Sequence, residues 1–209
     1  MADFKGKTIL ITGGTGSFGG YFANYLLNKG CKEIRVFSRD ELKQEEMRLR
    51  LQNSAVKFYI GDVRDRESVD DVMEGVEYVF HAAALKQVPA CEFFPMQATQ
   101  TNVLGSQNVI NSAISHGVSK VVSLSTDKAV YPINALGITK ALMGKIVQSA
   151  SRKLSQGKTI LSLARYGNVL FSRGSVIPLF LKQMREKKPI TITEPEMTRF
   201  LLPLKEAIH

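Results

Sequence analysis

The segment Gly13-Gly14-Thr15-Gly16-Ser17-Phe18-Gly19 restricts this chain more than any other part of its sequence. It follows a β-branched apolar run, Lys7-Thr8-Ile9-Leu10-Ile11-Thr12, and leads into Phe18, Phe22, Tyr25 and Leu26 at helical spacing, a pattern that Gly30 ends. A strand that passes through glycines into a helix brings bare backbone N–H groups to a helix N-terminus, where a pyrophosphate can be held. The same glycines without a ligand would be a tight turn; their place between strand and helix favours a dinucleotide. Gly13, Thr15, Gly16, Ser17, Phe18 and Gly19 are the expected contacts.

Further β-branched runs at 33–38, 56–60, 78–80, 120–125 and 159–164 alternate with helical patterns at 40–51, 65–73, 95–116 and 135–154. The alternation predicts an α/β fold, a Rossmann-type doubly wound parallel sheet of strand order 3-2-1-4-5-6 that reverses direction between strands one and four. Ligands of such sheets bind at the carboxyl ends of the strands. Segment 40–51 places Leu42 and Leu49 on one face and Glu46 four residues before Arg50, which reads as a surface helix. Gly117 ends the 95–116 helix. After Tyr166-Gly167-Asn168-Val169 come a helix over 176–186, a short strand over 190–193 and a tail. Residues 1–169 are expected to form a dinucleotide-binding domain, and 170–209 the start of an incomplete substrate-binding domain.

The chain has 209 residues, more than a usual domain of roughly 100–150 and fewer than two. Its net charge of +9 is uneven: residues 1–100 hold 13 basic and 14 acidic side chains, residues 101–209 hold 15 and 5. The basic residues are scattered, with no dense run beyond Arg185-Glu186-Lys187-Lys188, so on charge alone a nucleotide-type small molecule fits as well as nucleic acid, and the glycine segment makes the small molecule the expected partner. No apolar run reaches the length of a membrane span and the N-terminus lacks a signal-peptide pattern, so the chain reads as cytoplasmic. Cys31 and Cys91 are too few for a disulfide framework, and no metal site is expected.

Cofactor choice turns on the end of the second strand. An NAD site offers an acid to the ribose hydroxyls there, and this chain has Ser38-Arg39. A guanidinium forks onto phosphate, so Arg39, with Ser38 and Lys43, points to the 2′-phosphate of NADP. The alternative has Arg39 opening a solvated helix while Asp40 serves the ribose. Asp62 and Val63 stand where adenine would lie, although Asp62 also suits a helix cap.

Hydroxyls, an acid and amines are concentrated in Ser123-Leu124-Ser125-Thr126-Asp127-Lys128 and onward to Lys140. With Thr12-Gly-Gly-Thr-Gly-Ser-Phe-Gly19, Ser38-Arg39-Asp40, His81-Ala-Ala-Ala-Leu-Lys86, Thr101-Asn102-Val103, Arg165-Tyr-Gly-Asn-Val169 and Met197-Thr-Arg-Phe200, this stretch resembles the extended short-chain dehydrogenase/reductases. It is most similar to their capsular-polysaccharide UDP-N-acetylglucosamine 4,6-dehydratase/5-epimerase branch. The resemblance implies an NADP-dependent lyase on a UDP-sugar that oxidises C4, takes the C5 proton, loses water from C5/C6 and returns hydride to C6. It implies Lys128 as the base at C5, Asp127 as the acid at the C6 hydroxyl, Thr126 and Ser125 on the sugar, and Lys140 on the nicotinamide ribose. Ala82, Ala83, Ala84, Lys86 and Val169 become cofactor contacts, Lys86 a sugar contact also, and Asn168 a contact to substrate phosphate. As a base Lys128 must shed its proton, which burial or positive neighbours such as Lys140 promote. Read without the resemblance, Asp127 and Lys128 are a salt bridge at a strand end, and Lys86 is a loop lysine.

One position departs from the family pattern. Four residues before Lys140, where the family carries tyrosine, stands Leu136, which cannot move a proton. Either Lys128 or a water relay acts at the C4 hydroxyl, or the protein is impaired. A UDP-hexosamine 4-epimerase and a non-catalytic NADP-binding module are the alternatives. His81 reads as a strand-end packing residue, His116 as a cation at a helix C-terminus and Asn102 as structural. The family pattern implies a homo-oligomer through helices 95–116 and 135–154. Nine residues after Phe200 are too few to close a pocket over uridine diphosphate, so weak sugar-nucleotide binding is expected.

Overall fold

A computed structural model describes residues 3–154, 159–172 and 174–208. Two compact units divide it, residues 1–165 and 166–209.

The first unit opens with β1 (Thr8–Thr12), α1 (Ser17–Leu27), β2 (Glu33–Ser38), α2 (Glu41–Leu51), β3 (Val56–Ile60), α3 (Arg66–Met73) and β4 (Tyr78–His81). Two short helices follow, α4 (Val88–Phe93) and α5 (Pro95–Thr99), then a π turn over Gln100–Leu104 and α6 (Gly105–Ser115). After β5 (Lys120–Thr126), a 3₁₀ turn over Asp127–Ala129 leads to α7 (Ala135–Lys153) and β6 (Ile160–Tyr166), whose last residue belongs to the second unit.

The six strands form a Rossmann-like parallel sheet in the expected order, β3-β2-β1-β4-β5-β6. All five residues of β1 are buried because β1 is central, pairing Thr12 with Phe37 of β2 on one side and with His81 of β4 on the other. The connections reverse direction at β1 and β4, which opens a crevice at their carboxyl ends. One face of the sheet packs Leu10, Val79 and Val121 against Val69, Val72 and Met73 of α3 and Val109 and Ala113 of α6. The other carries aromatic contacts, with Phe22 of α1 4.0 Å from Phe80 between ring centroids. Full burial of a Val, Leu, Met or Phe side chain in this core contributes about 1.5–3 kcal/mol.

Four expectations change. The helix expected over 95–116 is broken by the π turn, and α4 precedes it outside any expected helix. In α2 the buried residues are Gln44 and Met47, while Leu42 and Leu49 are exposed, because Gln44 Nε2 donates to the carbonyls of Ser38 and Tyr59. No strand forms at 190–193. There Gln183 of α8 (Val176–Arg185) holds Thr191 by both ends of its amide, and the second unit instead pairs β7 (Asn168–Val169) with β8 (Leu201–Leu202) in parallel. Finally, Asp62 does not cap α3; Asp65 does, accepting from Glu67 N.

Candidate functional site

The glycine turn is built by close approach. Gly13 has φ +65°, and a Cβ there would lie 2.8 Å from both N and Cα of Ala83. A Cβ on Gly19 would lie 2.5 Å from Cα of Gly14, so the start of α1 rests directly on the turn. Gly16 is the N-cap of α1 in extended conformation and, being glycine, makes no side-chain cap bond of its own. Thr15 Oγ1 donates to Ser38 Oγ (3.2 Å), which ties the turn to the tip of β2.

At that tip Asp40 is engaged: its carboxylate accepts from Lys43 N as the cap of α2 and pairs with Lys43 Nζ. Arg39, 53% exposed, lies 3.4 Å from Asp62. Burial works against the charge of Asp62, but hydrogen bonds from Arg64 and the nearby Arg39 outweigh it and hold the carboxyl below its ordinary range. The Val63 side chain is in the core, so only its backbone can face a ligand.

Across the crevice, Ala82, Ala83 and Ala84 are partly buried and Lys86 is exposed. Asn102 accepts from Leu85 N (2.8 Å) and donates to Leu85 O (3.0 Å) and to Thr139 Oγ1 (3.1 Å), so it joins this loop to α7. His81 is fully buried between Thr12 Oγ1 (2.7 Å) and Ser106 Oγ (2.8 Å). Burial, and then the charge of Lys140, push its pKa down to about 3, so the ring is neutral.

The acid and amine of the third group emerge where β5 ends. Ser125 is buried, and Thr126 Oγ1 donates to Asp127 Oδ1 (2.8 Å), which also accepts from Lys128 N (2.8 Å) and lies 3.1 Å from Lys128 Nζ. Burial disfavours the Asp127 charge, but the bonds from Thr126 and Lys128 prevail and lower its pKa. In this state Asp127 is a carboxylate that accepts, so it can act as an acid only after receiving a proton. Lys140 is buried, its ammonium 2.7 Å from the Leu124 carbonyl, and burial lowers its pKa to about 8. Leu136 is 5% exposed and lies in an apolar cluster with Cys91 and Ala98, against which Leu85 packs. Burial also raises the Cys91 thiol, and that of Cys31 up to about 11.

Three contributors escaped the sequence reading. Asn134 caps α7, its Oδ1 accepting from Gly137 N (2.8 Å), which an asparagine before a helical run could have signalled. Glu92 of α4 accepts from Ala135 N (2.6 Å), and Gly137 packs on the Lys128 carbonyl; neither has a local signature. Asn168 and Val169 form β7 in the second unit. Among the described residues no three His, Cys, Asp or Glu gather as metal ligands, and no helix is long and apolar enough to cross a membrane.

A family model described as polysaccharide biosynthesis protein matches residues 9–209. The curated UDP-glucose 4-epimerase of Rickettsia prowazekii (strain Madrid E) is 60% identical over 209 residues, covering 98% of this chain and 61% of that protein. The chain thus spans about three fifths of the length of the curated relatives it matches. The X-ray structure of Pen from Bacillus thuringiensis is 41% identical, with a TM-score of 0.96 over 99% of this chain and 66% of that one. The dTDP-glucose 4,6-dehydratase DesIV from Streptomyces venezuelae, solved with NAD and TYD bound, shares the fold at 21% identity, with a TM-score of 0.86 over 95% of this chain and 68% of that one. From the match across residues 9–209, the chain belongs to the polysaccharide biosynthesis protein family.

Proposed function

We propose that the protein is an NADP-dependent nucleotide-sugar 4,6-dehydratase that acts on UDP-N-acetylglucosamine and inverts C5. The observation that carries this reading is the contact of Thr126, Asp127 and Lys128 at the carboxyl end of β5, beside the glycine turn's crevice strands. A nicotinamide dinucleotide suits the residues present: Gly13 is closed to any Cβ by Ala83, and α1 begins at a glycine without a capping side chain. Gly13, Thr15, Gly16, Ser17, Phe18 and Gly19 would hold its phosphates, and Ala82, Ala83 and Ala84 its opposite side. Arg39 favours NADP, since Asp40 already caps α2 and pairs with Lys43.

Bound NADP supplies the acceptor and donor of hydride. In the proposed reaction Lys128, once deprotonated, takes the C5 proton and passes it to the Asp127 carboxylate in contact with it. Asp127 then protonates the C6 hydroxyl, which leaves as water, so the C5 proton ends in that water. The proton that the C4 hydroxyl sheds on oxidation is carried by Lys128 or a water relay and is returned to the opposite face of C5 as hydride reaches C6. Lys140 steadies the nicotinamide ribose, and Lys86, Ser125 and Thr126 hold the sugar. The second unit is read as the beginning of the part that binds it. Exposed Met96, Leu104, Ile138 and Leu142 on α5, the π turn and α7 support a homo-oligomer through those helices.

A 4-epimerase is the second reading, favoured by the name of the Rickettsia relatives. Incubation with UDP-N-acetylglucosamine followed by proton NMR separates the two. A deoxy-sugar methyl signal supports the dehydratase, a C4 epimer without it supports the epimerase, and unchanged substrate with the full protein rejects both. In deuterated water, Lys128→Ala should stop exchange of the C5 proton; exchange at the normal rate would assign the base elsewhere.

A further inference from the structure

Thr12 ends β1, His81 ends β4 and Ser106 lies in the first turn of α6; all three are fully buried. Their polar atoms form one chain of hydrogen bonds. Ala83 N donates to Thr12 Oγ1 (3.3 Å), Thr12 Oγ1 meets His81 Nδ1, His81 Nε2 meets Ser106 Oγ, and Ser106 Oγ donates to the Asn102 carbonyl (2.7 Å).

The chain has only one consistent direction. A carbonyl can only accept, so the single Ser106 hydroxyl proton goes to Asn102, and Ser106 Oγ must accept from His81 Nε2. His81 then carries its proton on Nε2 and accepts at Nδ1, so Thr12 gives its own proton there and accepts from Ala83 N. The other tautomer would leave no hydrogen between Nε2 and Ser106. An imidazolium would aim two donors at Thr12 Oγ1 and take away the acceptor of its proton.

This direction matters because Ala83 is the residue whose backbone closes on Gly13. The π turn that supplies the Asn102 carbonyl also fixes Leu85, two residues on, through the Asn102 side chain. We propose that His81 is a positioning residue: as the Nε2–H tautomer, spanning Thr12 and Ser106, it sets the spacing between the glycine turn and the Ala82–Ala84 loop, and so the width of the cradle for a nicotinamide dinucleotide. The inference rests on the dinucleotide reading above.

Two measurements test it. In protein labelled with ¹⁵N-histidine, with His116→Gln and His209→Gln variants used for assignment, His81 should be protonated on Nε2 alone from pH 5 to 8. A proton on Nδ1, or a ring that titrates in that range, overturns the proposal, and this arm uses the native side chains whether or not the substitutions fold. Titration with NADP then compares Thr12→Val, Ser106→Ala and the double variant. Each single change should weaken binding about ten-fold. The double should lose little more than either single, because both act through the same ring. Thr12→Ser should bind as the wild type does. Wild-type affinity in folded Thr12→Val or Ser106→Ala, or losses that simply multiply in the double variant, overturn the positioning role alone. A wild-type protein that binds neither NADP nor NAD overturns the dinucleotide reading and this role with it.

Discussion

A Cβ on Gly137 would stand 2.3 Å from the carbonyl oxygen of Lys128, so the first turn of α7 and the turn that carries Lys128 meet backbone to backbone. Neither backbone can yield without moving its helix or the end of β5. Gly137→Ala should therefore destabilise the fold by about 1–3 kcal/mol through overpacking. It should lower turnover and also weaken NADP to a lesser degree, because α7 carries Lys140, the proposed contact to the nicotinamide ribose, while the glycine turn lies on other elements. Denaturant melts and separate binding and rate measurements check this; unchanged stability and rate would mean that the two turns are free to separate.

Arg39→Ala should weaken NADP by about ten-fold or more and NAD far less, since a hydrogen bond to a charged group is worth roughly 1.5–3 kcal/mol and only NADP carries the extra phosphate. Equal losses for the two cofactors in calorimetry would reject the NADP assignment. Asp62 provides a control. Its ion pair with Arg39 is partly exposed, so Asp62→Asn should change NADP affinity less than Arg39→Ala does.

Leu136→Tyr restores the family's spacing to Lys140, but the side chain lies in the cluster with Cys91 and Ala98. A larger polar residue there overpacks an apolar site, and we expect a loss of about 1–3 kcal/mol with no gain in activity. A variant as stable as wild type that turns over faster would show that position 136 reaches the crevice.

His81 gives stability an acid limb. Its folded pKa is depressed to about 3 from an ordinary 6.5, so between those values the unfolded chain binds the extra proton. Stability is then full above pH 6.5 and falls as pH drops, by up to about 1.4 kcal/mol per unit. Lys140 acts in the same sense at the other end: with its pKa lowered to about 8 from 10.5, the cost of burying its ammonium is fully present below pH 8 and is relieved as pH rises towards 10.5. Urea titrations across pH check both. His81→Gln should flatten the slope between pH 5 and 6.5, and Lys140→Met the slope between 8 and 10.5.

The strand order was legible because each strand of the parallel sheet is a short apolar run between helices, and β1 with its glycines announced the crevice. The spread of Thr126, Asp127 and Lys128 from one strand end was legible for the same reason. What sequence did not carry was decided by distant partners. The α4 helix has Gln87 at its N-cap with no side-chain bond, so only Pro89 in its first turn marks its start. Ile190-Thr191-Ile192-Thr193 alternates like a strand, yet Gln183 takes the backbone of Thr191. Leu136 stands where the resemblance expects a tyrosine, and its sequence position says nothing of Cys91 and Ala98, which pack around it.

The π turn over Gln100–Leu104 makes the chain's length through this segment as important as its composition. A π turn holds one residue more than the α-helical turn it replaces, and it absorbs that residue without turning the helix beyond it onto another face. Deleting one residue within it would restore a regular helix with Val109, Ile110 and Ala113 still facing the core, at the cost of the Asn102 contacts to Leu85 and Thr139. A deletion within α6 has no such slack, since each helical residue turns the chain by about 100°. A library that varies chain length along the protein should therefore find the loss of one residue at the π turn better tolerated for folding than a loss one or two turns further on, a distinction that a map of substitutions would not show.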